Sequence, residues 1–155
     1  MVRQACPEHS PVTGWVYLEY REGGHRYVSA PAPFEQGRQH ISRAAAAGPT
    51  VGPKPGEPAS SAGIKALDPE TGRTTWDFKI FQGSLTTGVL ATAGNVLFAA
   101  LRDGNIVALD ARCEHLWHFQ TGANMAASAM SYAVQGRQFL AVSAGNTLYA
   151  FALPE

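Results

Sequence analysis

Residues 66–76, Ala-Leu-Asp-Pro-Glu-Thr-Gly-Arg-Thr-Thr-Trp, constrain the fold more than any other part of the chain. They read as strand, tight turn and strand, with an aromatic anchor at a fixed distance. Asp68 is placed to accept hydrogen bonds from the amides of Glu70 and Thr71, and Pro69 presets φ at the first turn position. Gly72 supplies the positive φ that closes a four-residue hairpin turn. Trp76 is then expected on the second strand, on one face with Thr74 and Phe78. A single hairpin cannot cover an indole there, so the stretch demands a neighbouring sheet.

A weaker copy follows at residues 108–117, Ala-Leu-Asp-Ala-Arg-Cys-Glu-His-Leu-Trp. Ala66 to Ala108 is 42 residues, and Trp76 to Trp117 is 41. Trp76-x-Phe78 is matched by Trp117-x-Phe119. Residues 145–151, Gly-Asn-Thr-Leu-Tyr-Ala-Phe, echo residues 104–109, and Ala108 to Ala150 is again 42. Strand-type segments repeating every 40–45 residues or so mark the blades of a β-propeller.

With these residues the chain resembles the pyrroloquinoline-quinone (PQQ) dehydrogenases, the quinoprotein alcohol dehydrogenase superfamily. Its blades carry a tryptophan-docking motif, Ala-x-Asp-x-x-Thr-Gly-x-x-x-Trp. Ala66, Asp68, Thr71, Gly72 and Trp76 match it at every fixed position, and Ala108, Asp110 and Trp117 match in part. Residues 88–94, 132–139 and 144–146 are similar to the family's last-blade segments. The likeness covers 63–155 well, 7–20 loosely and 21–62 hardly at all. It implies an all-β fold, the last two to three four-stranded antiparallel blades of an eight-bladed propeller. Eight blades need roughly 320 residues at about 40 each. The 155 residues are therefore expected to be the C-terminal piece of a longer propeller, completed by the remaining blades.

Twelve basic and twelve acidic residues cancel, which removes the electrostatic case for nucleic acid or an anionic membrane. No apolar run approaches the roughly 20 residues of a membrane-spanning helix. Met1–Pro7 lacks the apolar core of a secretory signal, although the resemblance implies a periplasmic protein. Cys6 and Cys113 are too few for a disulfide framework and too far apart for a zinc pair, and the sequence leaves their pairing open.

Along the chain, residues 1–14 read as a lead-in loop and Trp15–Tyr20 as a strand. A second short strand is expected at His25–Ser29. Residues 30–62 hold six prolines with glycines between them, which excludes regular ladders. The whole of 21–62 is expected to be an irregular insertion, with one helical turn at Ser42–Ala47. Beyond it, strands are expected at Ile64–Leu67, Thr74–Ile80, Val89–Thr92, Asn95–Leu101, Asn105–Asp110, Leu116–Gln120, Ala129–Val134, Phe139–Ala144 and Thr147–Leu153. Phe81–Thr87 is expected to be a polar loop.

The tryptophan motifs carry structure rather than chemistry. His115 and His118, three apart on a strand, are expected to point to opposite faces and to be incidental surface histidines. The stretch with most functional promise is residues 82–88, Gln-Gly-Ser-Leu-Thr-Thr-Gly. In the family the equivalent loop faces the central funnel and carries a tryptophan wall of the PQQ site. Here Thr86 or Thr87 falls at that position, followed by Gly88. These three are the candidate cofactor-binding residues, the threonine hydroxyls suited to a carboxylate but not to stacking. Gln4-Ala5 stands where the family has an Asn-Trp pair that touches PQQ.

The family's calcium ligands, adjacent-cysteine disulfide and catalytic aspartate all lie upstream of the matching region. No catalytic base or metal ligand is assigned in this chain. Gly-x-Ser-x-Gly, Walker, Cys-x-x-Cys and His-Glu-x-x-His motifs are absent. The resemblance implies a segment of an enzyme that oxidises a small alcohol or sugar with PQQ and calcium, and that is inactive in isolation. The rival reading is a non-catalytic propeller scaffold that keeps the docking motifs.

Overall fold

The structure, a computed structural model, describes residues 8–22, 33–37, 56, 61–80 and 87–154. The chain divides into two compact units, residues 1–21 with 61–155, and residues 22–60. In the second unit, residues 33–37 are exposed and irregular, ending in a turn at Gln36–Gly37. The expected strand at His25–Ser29 and helical turn at Ser42–Ala47 lie outside the described residues.

The first unit carries β1 (Glu8–His9), β2 (Val16–Glu22, whose last residue belongs to the other unit), β3 (Ser61–Leu67), β4 (Thr74–Ile80), β5 (Val89–Ala91) and β6 (Val96–Ala100). It continues with β7 (Asn105–Asp110), β8 (His115–Gln120), β9 (Met130–Val134), β10 (Arg137–Ala144) and β11 (Thr147–Ala152). These form three antiparallel sheets ordered β1-β2-β3-β4, β5-β6-β7-β8 and β11-β10-β9. No helix occurs among the described residues.

Two edges differ from the sequence expectation. The lead-in loop contains β1, which pairs Glu8 with Tyr17 and His9 with Val16. Ser10 makes this hairpin possible. Its hydroxyl accepts from the amides of Val12 and Thr13, each at 3.3 Å, and its carbonyl accepts from Gly14 at 2.8 Å. The expected insertion is also shorter at both ends, because β2 runs on to Glu22 and β3 starts at Ser61.

The repeat is visible as two homologous hairpins. Asp68 Oδ1 accepts from the amides of Glu70 and Thr71 at 2.9 and 3.3 Å, and Gly72 takes φ 69°. In the second copy Asp110 Oδ1 accepts from Arg112 and Glu114 at 2.8 and 2.7 Å. The Asp68 amide closes its turn on Arg73, whereas the Asp110 amide closes on Glu114. The second turn is therefore one residue shorter, which accounts for 42 residues between alanines but 41 between tryptophans. Cys113, at φ 74°, occupies the left-handed position that Gly72 fills in the first copy.

Each hairpin carries a register shift at the same place, between Ala66 and Leu67 and between Ala108 and Leu109. Trp76 is thereby paired with Ala66 but Thr74 with Leu67, so Thr74 does not share the Trp76 face as expected. A bulge inserts one residue and resets the alternation. The same reset corrects the reading of the histidines. His115 pairs with Leu109 and His118 with Val107, both on one face, and their rings lie 5.3 Å apart.

Alternation along the strands builds two cores. Tyr17, Ile64 and Ala66 of the first sheet pack on Val89, Leu97, Ala99, Val107 and Leu109 of the second, with Trp76 and Phe78 against them. Ala100 and Ile106, on the other face of the second sheet, pack on Leu140, Val142 and Ala144 of the third. The second sheet is thus covered on both faces. The open face belongs to the third sheet, where Met130, Val134 and Leu148 are 57%, 51% and 73% exposed.

Candidate functional site

The first and second sheets meet through Trp76, whose Nε1 donates to the carbonyl oxygen of Ala111 at 2.9 Å. Its ring sits 5.7 Å from that of Tyr17, and Tyr17 Oη lies 3.0 Å from Thr13 Oγ1. Ala66 is fully buried opposite Trp76, and Ala108 is buried opposite Trp117. Trp117 meets Phe119 at 6.2 Å and Phe151 of the third sheet at 5.3 Å, edge-on. Asp68, Thr71, Gly72 and Asp110 all lie in the two turns. Backbone hydrogen bonding by Glu70 is the main cause holding the Asp68 carboxyl below its usual range.

The candidate cofactor residues lie at the other side of the sheets, where the chain runs into β5. Thr86 is outside the described residues. Thr87 is buried at 3% exposure, and its hydroxyl lies against the carbonyl oxygen of Ala100 and 3.1 Å from Glu19 Oε1. The Gly88 amide donates to Ser128 Oγ at 2.6 Å. Three sheets therefore converge here: Glu19 from β2, Thr87 and Gly88 ahead of β5, and Ser128 ahead of β9.

Glu19 is the residue that reading the sequence missed. It is half-buried, and loss of water around it raises its carboxyl to about 7, with the Thr87 hydrogen bond acting in the opposite direction. A signal existed. Glu19 follows Tyr17 by two on β2, so it shares the face that Tyr17 turns toward the core.

PQQ is a flat, anionic, conjugated ring system, so its site needs an aromatic wall and free donors for its carboxylates. Thr87 is buried with its single proton engaged, the Gly88 amide is engaged by Ser128, and the neighbouring group is a carboxyl. The described residues of this set do not fit the cofactor. The resemblance points to Thr87 and Gly88 as contacts, but the Thr87 hydroxyl and the Gly88 amide are already used between sheets. Among the described residues, no three His, Cys, Asp or Glu side chains converge on a point where a metal ion would sit.

The PQQ_2 family model, described as outer membrane protein assembly factor BamB, matches residues 60–153. The chain is 38% identical over 92 residues to the quinoprotein ethanol dehydrogenase of Pseudomonas aeruginosa, covering 59% of this chain and 14% of that protein. It is 29% identical over 137 residues to quinohemoprotein alcohol dehydrogenase ADH IIB of Pseudomonas putida, covering 88% of this chain and 19% of that one. The solved structure of quinohemoprotein alcohol dehydrogenase ADHIIG from Pseudomonas putida HK5 superposes with a TM-score of 0.68. It is 23% identical and matches 94% of this chain and 22% of that one. The enzyme from Comamonas testosteroni gives 0.64 at 23% identity, over 92% and 22%. The chain spans about a seventh of the length of the first of these relatives, 14% of that protein. These likenesses identify the stacked sheets as blades of a quinoprotein-type β-propeller, and the chain belongs to the PQQ_2 family as a segment like those of PQQ-dependent dehydrogenases.

Proposed function

We propose that this chain is a propeller segment of a PQQ-dependent dehydrogenase acting on the CH–OH group of a small alcohol or sugar. Its part is architectural: it stacks blades, presents a face to a further blade and helps shape the funnel. The observation that carries this reading is the asymmetry of the stack. The first sheet is joined to the second by the Trp76–Ala111 hydrogen bond, while the third leaves Met130, Tyr132, Val134 and Leu148 exposed. A contiguous apolar face of that kind is suited to cover by another sheet.

In the whole enzyme PQQ supplies the two-electron acceptor for alcohol oxidation, with calcium as its metal. One solved neighbour is a europium-containing methanol dehydrogenase, so a lanthanide is the alternative ion. The same kinship supports a periplasmic location. Among the described residues, no helix is long and apolar enough to cross a membrane. The base, the metal ligands and the PQQ contacts are assigned to blades other than the described ones. A second reading, a non-catalytic propeller scaffold, is favoured by the engaged Thr87 and Gly88 groups.

The test mixes the chain with the complementary blades of the Pseudomonas aeruginosa relative, truncated before its matching region. Dye reduction is then followed with ethanol, PQQ and calcium. The chain alone is expected to give no rate above the no-protein control, and the pair a stable complex with PQQ-dependent reduction. A complex without reduction favours the scaffold, and failure to associate overturns the segment reading.

A further inference from the structure

We propose that the seam between the first and second sheets is a pH-sensitive clasp, closed by a protonated Glu19 that donates to Thr87 while Thr87 donates to the carbonyl of Ala100. A threonine hydroxyl has one proton to give and two lone pairs to accept with. Thr87 Oγ1 lies within hydrogen-bond reach of two oxygens, Glu19 Oε1 at 3.1 Å and the Ala100 carbonyl. If Glu19 is a carboxylate, both neighbours are acceptors and only one is served. The other faces an oxygen lone pair in a dry place, since Ala100 is 0% exposed and Thr87 3%. If Glu19 carries a proton, the chain Glu19 O–H to Thr87 Oγ to Ala100 O leaves neither the Glu19–Thr87 contact nor the Thr87–Ala100 contact without a proton.

The surroundings favour the neutral form. Burial is the larger cause acting on Glu19 and raises its carboxyl to about 7. The Thr87 bond opposes it only while Thr87 is the donor; with Glu19 donating, that bond no longer favours the charged form. Charged partners are few. On β1, Glu8 pairs with Tyr17 and so shares the Glu19 face, a like charge, with His9 next to it. Arg21, two residues along β2, is exposed. On β3 the Lys65 ammonium is engaged 3.8 Å over the Tyr20 ring, and Tyr20 alternates to the face opposite Glu19. β5, β6, Thr87–Gly88 and the stretch before β9 carry no ionisable side chain.

The clasp joins elements 68 residues apart in sequence, and Thr87 adjoins Gly88, which is tied to Ser128 ahead of the third sheet. Ionisation at Glu19 is therefore felt where all three sheets converge. As pH rises, the folded state must give up a proton it binds more tightly than the unfolded chain does, so stability falls through that window.

The test compares the full 155-residue chain with Glu19→Gln, whose amide N–H donates at every pH. The urea midpoint of the wild type is expected to fall as pH rises from about 5 to about 8, and that of the variant to stay level across the same range. Parallel pH profiles overturn the proposal. Carbon-detected NMR of the wild type, labelled at the glutamate carboxyl, is a second readout if the variant does not fold. One glutamate is expected to titrate near 7, and ordinary titration of every glutamate overturns the proposal.

Discussion

The indole of Trp76 in the first sheet donates to the carbonyl of Ala111, in the turn that closes the second sheet's hairpin, across 2.9 Å. This bond runs from one repeat's anchor to the next repeat's turn, so it locks blade to blade. Trp76→Phe keeps the ring contact with Tyr17 and removes the donor, and is expected to cost about 1 kcal/mol. Trp76→Ala also removes the buried ring and is expected to cost about 3–5 kcal/mol. Trp15 packs against the same core without spanning the sheets in this way, so Trp15→Ala is expected to cost less. Urea midpoints rank the three variants.

Gly104 sits at φ 92° in the turn between β6 and β7, and a Cβ there falls 2.6 Å from both the Ala123 carbonyl oxygen and Gln120 Oε1. Its own carbonyl accepts from the amide and hydroxyl of Thr121, each at 2.9 Å. Backbone strain and the clash with a fixed carbonyl add, so Gly104→Ala is expected to cost about 2–3 kcal/mol. Thermal unfolding measures it.

Cys113 has φ 74°, a conformation that costs an L-residue about 1–2 kcal/mol. Cys113→Gly is expected to raise stability by about 1 kcal/mol, net of the packing lost from a half-buried thiol. Burial first, then the charges of Asp110 and Asp77, raise the thiol above its ordinary value. Alkylation by iodoacetamide at neutral pH is expected to be several-fold slower than that of a small free thiol, because the thiolate is the reacting form. Timed mass spectrometry reads the rate at Cys113.

The exposed apolar face of the third sheet is expected to drive self-association of the isolated chain near pH 7. Twelve positive and twelve negative side chains leave no net repulsion. Val134→Lys with Leu148→Lys puts two like charges on that face and is expected to restore a monomer. Light scattering over a concentration series distinguishes the outcomes.

Two carboxylates bend the pH–stability curve in opposite senses. The Asp68 carboxyl is lowered, chiefly by the Glu70 amide, so its contribution is present above about pH 4 and is lost on further acidification. That contribution is small and sensitive to salt, because the group is exposed. Glu19 is raised to about 7, so its penalty grows from the ordinary carboxylate range upward. Maximum stability is expected in mildly acidic solution, between those limits. Urea midpoints across pH locate it, and Glu19→Gln is expected to flatten only the upper limb.

Chemistry that acts over a few residues was legible in the chain alone. Asp68, Pro69 and Gly72 specify a turn through their own backbone chemistry, and its recurrence after 42 residues specifies stacked antiparallel sheets. Tertiary structure decided what depends on cover. The bulge beside Ala108 turned His115 and His118 to one face, because it resets an alternation that spacing alone assumes unbroken. Stacking buried the second sheet on both sides and left the third sheet open, a matter of which blades have neighbours. It also set Glu19 against Thr87 across 68 positions. Removing water from a carboxyl depends on every group that surrounds it, and those groups come together only when the sheets have packed.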